Sequence, residues 1–241
     1  MKSEIEMKIN HRVIRLVYKI ISYNLKIIFG GKFMYFLIAA LAFYFIFTGL
    51  MLFSNSSQDN ADIFNFLIFP GFLSVFYPVI YNIQNDKDAR MLEIIFSIPD
   101  YRYKIFLVRF TISLMLMTTV LLFMAGFTWF AILKIPVIHL VYHLMFPLVF
   151  LTCLAFLLTT ITKNGNSAAA ITVIIGLIFF ILYEPLRGSK WYLFLNPYYH
   201  SQMSETVWVS IINQNRIILA VGSVICLLGA FFNLQKREKF L

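Results

Sequence analysis

Residues 65–84 and 110–133 each run without a single charged side chain, and four further stretches of the chain read much the same way. A helix needs about 20 consecutive apolar residues to cross a hydrocarbon core about 30 Å thick. Six such runs in 241 residues leave almost no chain for a water-soluble domain. Lipid offers the backbone no hydrogen bonds, so only helices or closed barrels can span it. These runs are continuously apolar rather than alternating, which selects helices. With 61% apolar and only 13% charged residues, the expected fold class is an all-α polytopic membrane protein, a single transmembrane domain over residues 1–241.

The spans are expected at 33–53, 63–83, 105–133, 137–161, 167–185 and 211–234. Ahead of them, residues 11–30 read as an interfacial helix. Arg12, Arg15, Lys19, Ser22 and Lys26 recur every three or four positions on one face, with Val13, Val17, Ile20 and Ile21 on the other. That pattern suits a helix lying in the membrane plane with its cations toward lipid headgroups. A polar tract at 54–62 makes a short outer loop, residues 133–136 a tight outer turn, and residues 162–167 a tight inner one. Residues 186–210 form the longest outer segment, rich in Trp and Tyr as membrane interfaces are. Short helices re-entering the outer leaflet are expected there.

The net charge of +9 follows topology rather than nucleic-acid binding. Lys and Arg gather before the first span, between the second and third, and after the sixth; Lys134, Arg187, Lys190 and Arg216 are the few on the other side. Under the positive-inside rule both termini are cytoplasmic, and the chain belongs in the cell membrane. No cleavable signal peptide is expected, because the first thirty residues lack a short apolar core and a small-residue cleavage site. Cys153 and Cys226 fall in apolar spans, where ordinary thiols are expected.

No Asp, Glu, Lys or Arg stands at the middle of any expected span, so a proton- or ion-relay is not anticipated. A phosphate-binding loop needs G-x-x-x-x-G-K-[ST]; Gly30-Gly31-Lys32 lacks the first glycine and is followed by Phe33. His139 and His143 stand four apart, but no HExxH pattern or third ligand accompanies them, so no metal site is expected and both read as interfacial polar residues. Glu184, beside Pro185 at an outer helix end, is expected to cap or to pair with Arg187 or Lys190. The small residues Gly49, Ala125, Gly126, Ala168, Ala169, Ala170 and Gly176 are candidates for close helix contact. No catalytic constellation emerges, and no enzyme activity or cofactor is expected in this chain.

The inner loop 84–104 is the most informative polar segment. Asp86, Arg90 and Glu93 are spaced for pairing along a short helix, with Ala89, Leu92 and Phe96 on one stripe. Pro99 should end that helix, because proline pushes the preceding residue out of α geometry. Its charges nearly cancel, which suits docking to a protein better than to a headgroup layer.

In this loop the chain resembles the membrane subunits of type-2 ABC exporters. The residues that carry the likeness are Asp88, Leu92-Glu93, Ser97-Ile98-Pro99 and Arg109, followed by Asn196-Pro197 in the outer segment and Ser167-Ala168-Ala169-Ala170 at the start of the fifth span. Arg90 replaces a glycine frequent in the family, and Arg109 a lysine. The resemblance extends over essentially the whole chain: amphipathic N-terminal helix, six spans, inner helix, outer segment. It implies a permease worked by a separate cytoplasmic ATPase that binds ATP and Mg²⁺ and touches Asp86, Asp88, Arg90, Leu92, Glu93, Phe96 and Pro99. A second permease copy, identical or paralogous, and accessory subunits are the other implied partners. The alternatives are a non-transporting scaffold moved by such an ATPase and, less favoured, an intramembrane enzyme.

Overall fold

The structure, a computed structural model, describes residues 32–53, 59–88, 102–199 and 204–235, together with 15, 19, 22, 23 and 26. Eight helices carry the described residues: α1 (Phe33–Phe53), α2 (Asn60–Ile80), α3 (Asn82–Asp88), α4 (Arg102–Ala131), α5 (Val137–Thr162), α6 (Gly165–Ile181), α7 (Tyr183–Leu186) and α8 (Glu205–Gln235). Four of them, α1, α4, α5 and α8, are long and apolar enough to cross a membrane. The 17-residue α6 is shorter.

The helix ends follow local chemistry. Asp59 caps α2 and Asp62 reaches back to the Asp59 amide, a reciprocal box that satisfies two of the amides a helix start leaves orphaned. Lys163 ends α5 in the left-handed region at φ 55°, and Asn164 then accepts from the amides of Asn166 and Ser167 to start α6. Two residues thus suffice to reverse the chain. Pro70 and Pro78 lie inside α2 and Pro147 inside α5; lipid-embedded helices tolerate proline where neighbours re-satisfy the freed backbone groups.

α5 is the hub. It packs against α8, α2, α6 and α4, and 56% of its most apolar stretch is buried, against 17% for the peripheral α1. The core runs through Phe64, Leu67, Phe106, Leu121, Leu144 and Phe156, all fully or almost fully buried. Close approach matters because lipid tails are as apolar as leucine, leaving packing and hydrogen bonds to hold helices together. At Gly71, a Cβ would stand 2.8 Å from Leu121 Cδ2 and 2.9 Å from Leu148 Cδ1, so α2 meets α4 and α5 through bare backbone. Gly222 makes the same kind of approach to Phe150. Within the one chain three of the glycines expected to serve this purpose do not: a Cβ at Gly49, Gly126 or Gly176 would meet nothing within 4 Å. Ala125 and Ala168 are fully buried, as close packing requires. Midway along α1 the Tyr44 hydroxyl fastens it to α4, through Met124 O and Thr128 Oγ1, each at 2.8 Å.

Several expectations change in detail. The second span, placed at 63–83, is α2 beginning at Asn60 and breaking at Tyr81 into the separate α3. The sixth, placed at 211–234, begins at Glu205, because the Trp208 and Ile212 faces are buried against the outer segment and extend the helix. That shift carries Arg216 well inside α8, and Arg109 lies well inside α4, so the long helices do hold buried cations. No helix forms in 187–199; this outer segment is a series of turns. Cys153 and Cys226 are free thiols. Of the interfacial helix at 11–30, Arg15, Lys19, Tyr23 and Lys26 are helical and exposed and Ser22 is helical and half-buried; the remainder, Arg12 included, lies outside the described residues.

Candidate functional site

Two polar sites interrupt the apolar body, one next to residues 89–101 and one under the outer segment.

At the first, α3 turns Ile83 and Asp86 inward while Lys87 and Asp88 stay exposed. Arg109 Nη1 donates to the Asp86 carboxylate and, at 2.8 Å, to Asn82 Oδ1. Both charged side chains are more than nine-tenths buried, and this is the only ion pair among the described residues. Arg109 Nε has no partner. Burial pushes the Asp86 carboxyl above its ordinary value, and the charge and hydrogen bond of Arg109 pull it back. Breaking a buried pair by removing one member costs about 3–5 kcal/mol, so α3 is firmly tied to α4.

The same turn grips two more helices. Gln84 Oε1 accepts from the Gly165 amide at 2.7 Å and Tyr81 Oη donates to Asn166 Oδ1 at 2.9 Å, holding the start of α6. A Cβ at Gly165 would lie 2.7 Å from the Tyr81 ring, so glycine is what admits the contact. The Tyr77 hydroxyl accepts from the Lys32 amide and from Asn85 Nδ2, which brings in the start of α1. The residues ahead of 89–101 therefore contact the body of α4 and the starts of α6 and α1. Asp86 is an internal anchor rather than a free carboxylate, and Asp88 is available on the surface. Arg90, Leu92, Glu93, Phe96 and Pro99 lie outside the described residues.

At the second site, non-helical backbone is laid against the helices, and its carbonyls need partners there because lipid supplies none. Asn215 and Arg216, adjacent on α8, supply them. Asn215 Nδ2 donates to Lys190 O and Tyr192 O, both at 2.9 Å. Arg216 Nη2 donates to Leu195 O at 2.9 Å and Nη1 to Asn215 Oδ1 at 3.0 Å. Trp208 Nε1 reaches Pro197 O at 3.3 Å. Asn196, 9% exposed, fixes the segment to α2 through Ala61 O at 2.8 Å and Asn65 Oδ1 at 3.1 Å. Pro197 follows directly, so the Asn196-Pro197 pair marks where the outer segment is pinned.

From Arg216 a chain of side chains runs outward across α5. Arg216 Nε donates to His143 Nδ1 at 3.3 Å, His143 Nε2 faces His139 Nε2 at 3.3 Å, and His139 Nδ1 meets Tyr198 Oη at 2.9 Å. His143 is buried and His139 exposed. Burial pushes the Tyr198 phenol up to about 12, against the pull of Arg216, and Tyr192 likewise to about 12. Both keep their hydroxyl protons at neutral pH. Among the described residues no group of three His, Cys, Asp or Glu side chains is placed to hold a metal.

Glu184 does not make the expected pair: it is exposed, and its backbone carbonyl accepts from the Arg187 amide. The Arg187 guanidinium instead covers the Tyr199 ring at 4.6 Å, a favourable cation–π contact. The roles of Asn215, Arg216, His139 and His143 went unanticipated. The signal lay in the spacing of Trp208, Ile212, Asn215, Arg216, Leu219 and Ser223, which marks one buried stripe of α8.

Between α2, α5, α6 and the outer segment lies a cavity of about 590 Å³. Phe69, Phe72, Val173, Phe180, Tyr192 and Phe194 dominate its walls, no charged residue lines it, and the open Gly176 is part of it. Compared with known protein families, curated proteins and solved structures, the chain finds no match.

Proposed function

We propose that this chain is the permease subunit of an ATP-driven exporter, six spans with both termini cytoplasmic, paired with a second permease copy and worked by a separate ATPase. The observation that carries the reading is the anchorage of α3. A lever that transmits force from a docked motor must be rigid where it joins the body, and α3 is joined to α4 by the Asp86–Arg109 pair, to α6 by Gln84 and, through Asn85 and the Tyr77 hydroxyl of α2, to Lys32 at the start of α1. The loop that follows it, with Asp88, Arg90, Leu92 and Glu93, is the surface offered to the ATPase. Movement there would be passed to three spans at once.

Two further features support the reading. α6 and α2 pair at six-span positions five and two and bound an uncharged cavity, a suitable half-path for an apolar or amphipathic cargo, since ligand pockets run to about 300–1,000 Å³ and are mostly apolar. The outward surface of α6, including Ile174, Leu177, Ile178 and Ile181, is uncovered within one chain, and a second copy would close the path over it. ATP and Mg²⁺ belong to the partner in this scheme, and this chain performs no catalysis.

The test is co-purification of the full chain from its native membrane followed by transport measured in vesicles. An associated ATPase and ATP-dependent solute movement, both lost on Glu93→Lys, support the assignment. Association without solute movement would favour a mechanically driven scaffold. Solute movement or nucleotide hydrolysis by the chain alone would overturn both.

A further inference from the structure

We infer that the cavity between α2 and α6 is a binding site for one acyl chain of a phosphoglyceride, with the ester carbonyl at Tyr192 and the phosphate at Arg187. This lipid would fill the space that the permease reading treats as a half-path. Its binding requires no ATPase, so the two readings can fail separately.

The cavity opens sideways. Phe69 on α2 and Val173, Leu177 and Phe180 on α6 line it and are themselves exposed, whereas Leu151, Thr172 and Tyr192 are buried in its walls. In a membrane-embedded chain the medium at such a mouth is lipid. The walls suit it: no charged group interrupts α2 from Asn65 to Phe72 or α6 from Thr172 to Phe180. At 1.5 Å per residue those stretches run about 10–12 Å. That is most of the depth of one leaflet, roughly half of a 30 Å core. Gly176 leaves the α6 wall open there.

The hydrogen-bond donors lie at one end. Tyr192 is more than nine-tenths buried, and among the described residues its hydroxyl has no hydrogen-bond partner. Yet that oxygen is not sealed as Thr48 Oγ1 and Asn60 Oδ1 are, so what it exposes faces the cavity it lines. Burial keeps its proton in place at neutral pH, which makes it a donor. Asn65 lines the same cavity; its Oδ1 is taken by Asn196, and its two amide protons meet no acceptor among the described residues. Thr172, at the other end of the α6 wall, gives its proton to Ala168 O and offers none to a ligand. The matching molecule is a long apolar chain ending in oxygens that accept but cannot donate, as an acyl ester does.

Arg187 supplies the charge. Its guanidinium lies 5.7 Å from the centre of the Tyr183 ring and 4.6 Å from that of Tyr199. The Tyr183 ring in turn packs 5.6 Å from that of Tyr192. No carboxylate among the described residues pairs with this cation. Held on aromatic faces, a guanidinium keeps its donors for an anion, and phosphate matches their fork. A second copy is a poorer occupant. Ile174, Ile178 and Ile181 lie about a third of a turn round α6 from the cavity wall, so a copy seated on them leaves the mouth to lipid.

Native mass spectrometry of the full chain, released from detergent micelles after addition of dioleoyl phosphatidylglycerol, tests the site. One lipid per chain should be retained. Dioleoylglycerol, with the same chains and no phosphate, should be retained about tenfold less, the loss of a charged hydrogen bond. Gly176→Phe fills the cavity and should abolish retention; Gly49→Phe, at an equally open glycine of α1, should not. Tyr192→Phe should weaken retention about fivefold, one neutral hydrogen bond. Arg187→Gln should erase the preference over dioleoylglycerol. If Gly176→Phe does not elute as folded protein, the Tyr192 and Arg187 variants decide. No retained lipid, equal retention in parent and cavity variants, equal loss in both glycine variants (a general lipid coat), no preference for phosphate, or a dimer that excludes the lipid would each overturn the site. An ATPase that never co-purifies would sink the permease reading and leave these outcomes unchanged.

Discussion

Arg109 and Arg216 are both buried in long helices, yet the two ends of the molecule accommodate them in opposite ways. Arg109 meets a carboxylate, Asp86, and the charges cancel. Arg216 meets neutral acceptors only: Leu195 O, Asn215 Oδ1 and His143 Nδ1. The first arrangement makes a rigid joint whose strength lies in one strong contact. The second spreads the cation over one backbone carbonyl of the outer segment, a side-chain amide of its own helix and an imidazole of α5. A lever root needs the first.

Breaking the inner joint should have the largest effect. Asp86→Leu or Arg109→Leu alone is expected to destabilise the protein by about 3–5 kcal/mol, read as a lower unfolding midpoint in detergent. The double leucine variant should recover most of that loss, because replacing both members by apolar groups can be nearly neutral. Equal loss in single and double variants would mean that the pair is not what joins α3 to α4. Arg216→Leu should come next, leaving Leu195 O and His143 Nδ1 unpaired at about 1–3 kcal/mol for a buried unsatisfied group. Its damage should be local, seen as faster hydrogen exchange in the outer segment with the inner joint unchanged.

The comparison sharpens further with glycines. Gly165→Ala must displace Tyr81 and Gln84, and overpacking of this kind costs about 1–3 kcal/mol; it should weaken the inner end without touching the outer. Gly176→Ala meets nothing within 4 Å and should stabilise α6 by about 0.5–1 kcal/mol, the usual gain over glycine in a helix interior. Loss of that gain in membranes but not in dilute detergent would point to a second copy packed on α6.

Much of the helical body is legible in the sequence, because a run of uncharged residues about 20 long has few physical outlets other than a membrane-spanning helix. α1 coincides with the expected 33–53 and α5 with 137–161 to within one residue. The inner joint was half visible. Asp86 and Arg109 both stood out as polar residues flanking a loop, but their spacing along the chain does not say that they touch; each was read against a partner protein or a topology rule. The outer site was hidden for a different reason. Near an expected helix end, Arg216, His139 and His143 look like interfacial polar residues, and only the extra turns of α8 before residue 211 bring the arginine under cover.

The amino-acid order by itself determined that the chain is helical and apolar enough to be embedded in a membrane, since that depends only on local composition and the needs of the backbone. It also set where α2 and α6 start, through the caps Asp59 and Asn164, because caps act over three or four residues. Which buried cation found a carboxylate and which found carbonyls was decided by tertiary structure alone. Those partners are 23 residues apart for Asp86 and Arg109 and 73 for His143 and Arg216, and only the packing of whole helices fixes a distance across such separations.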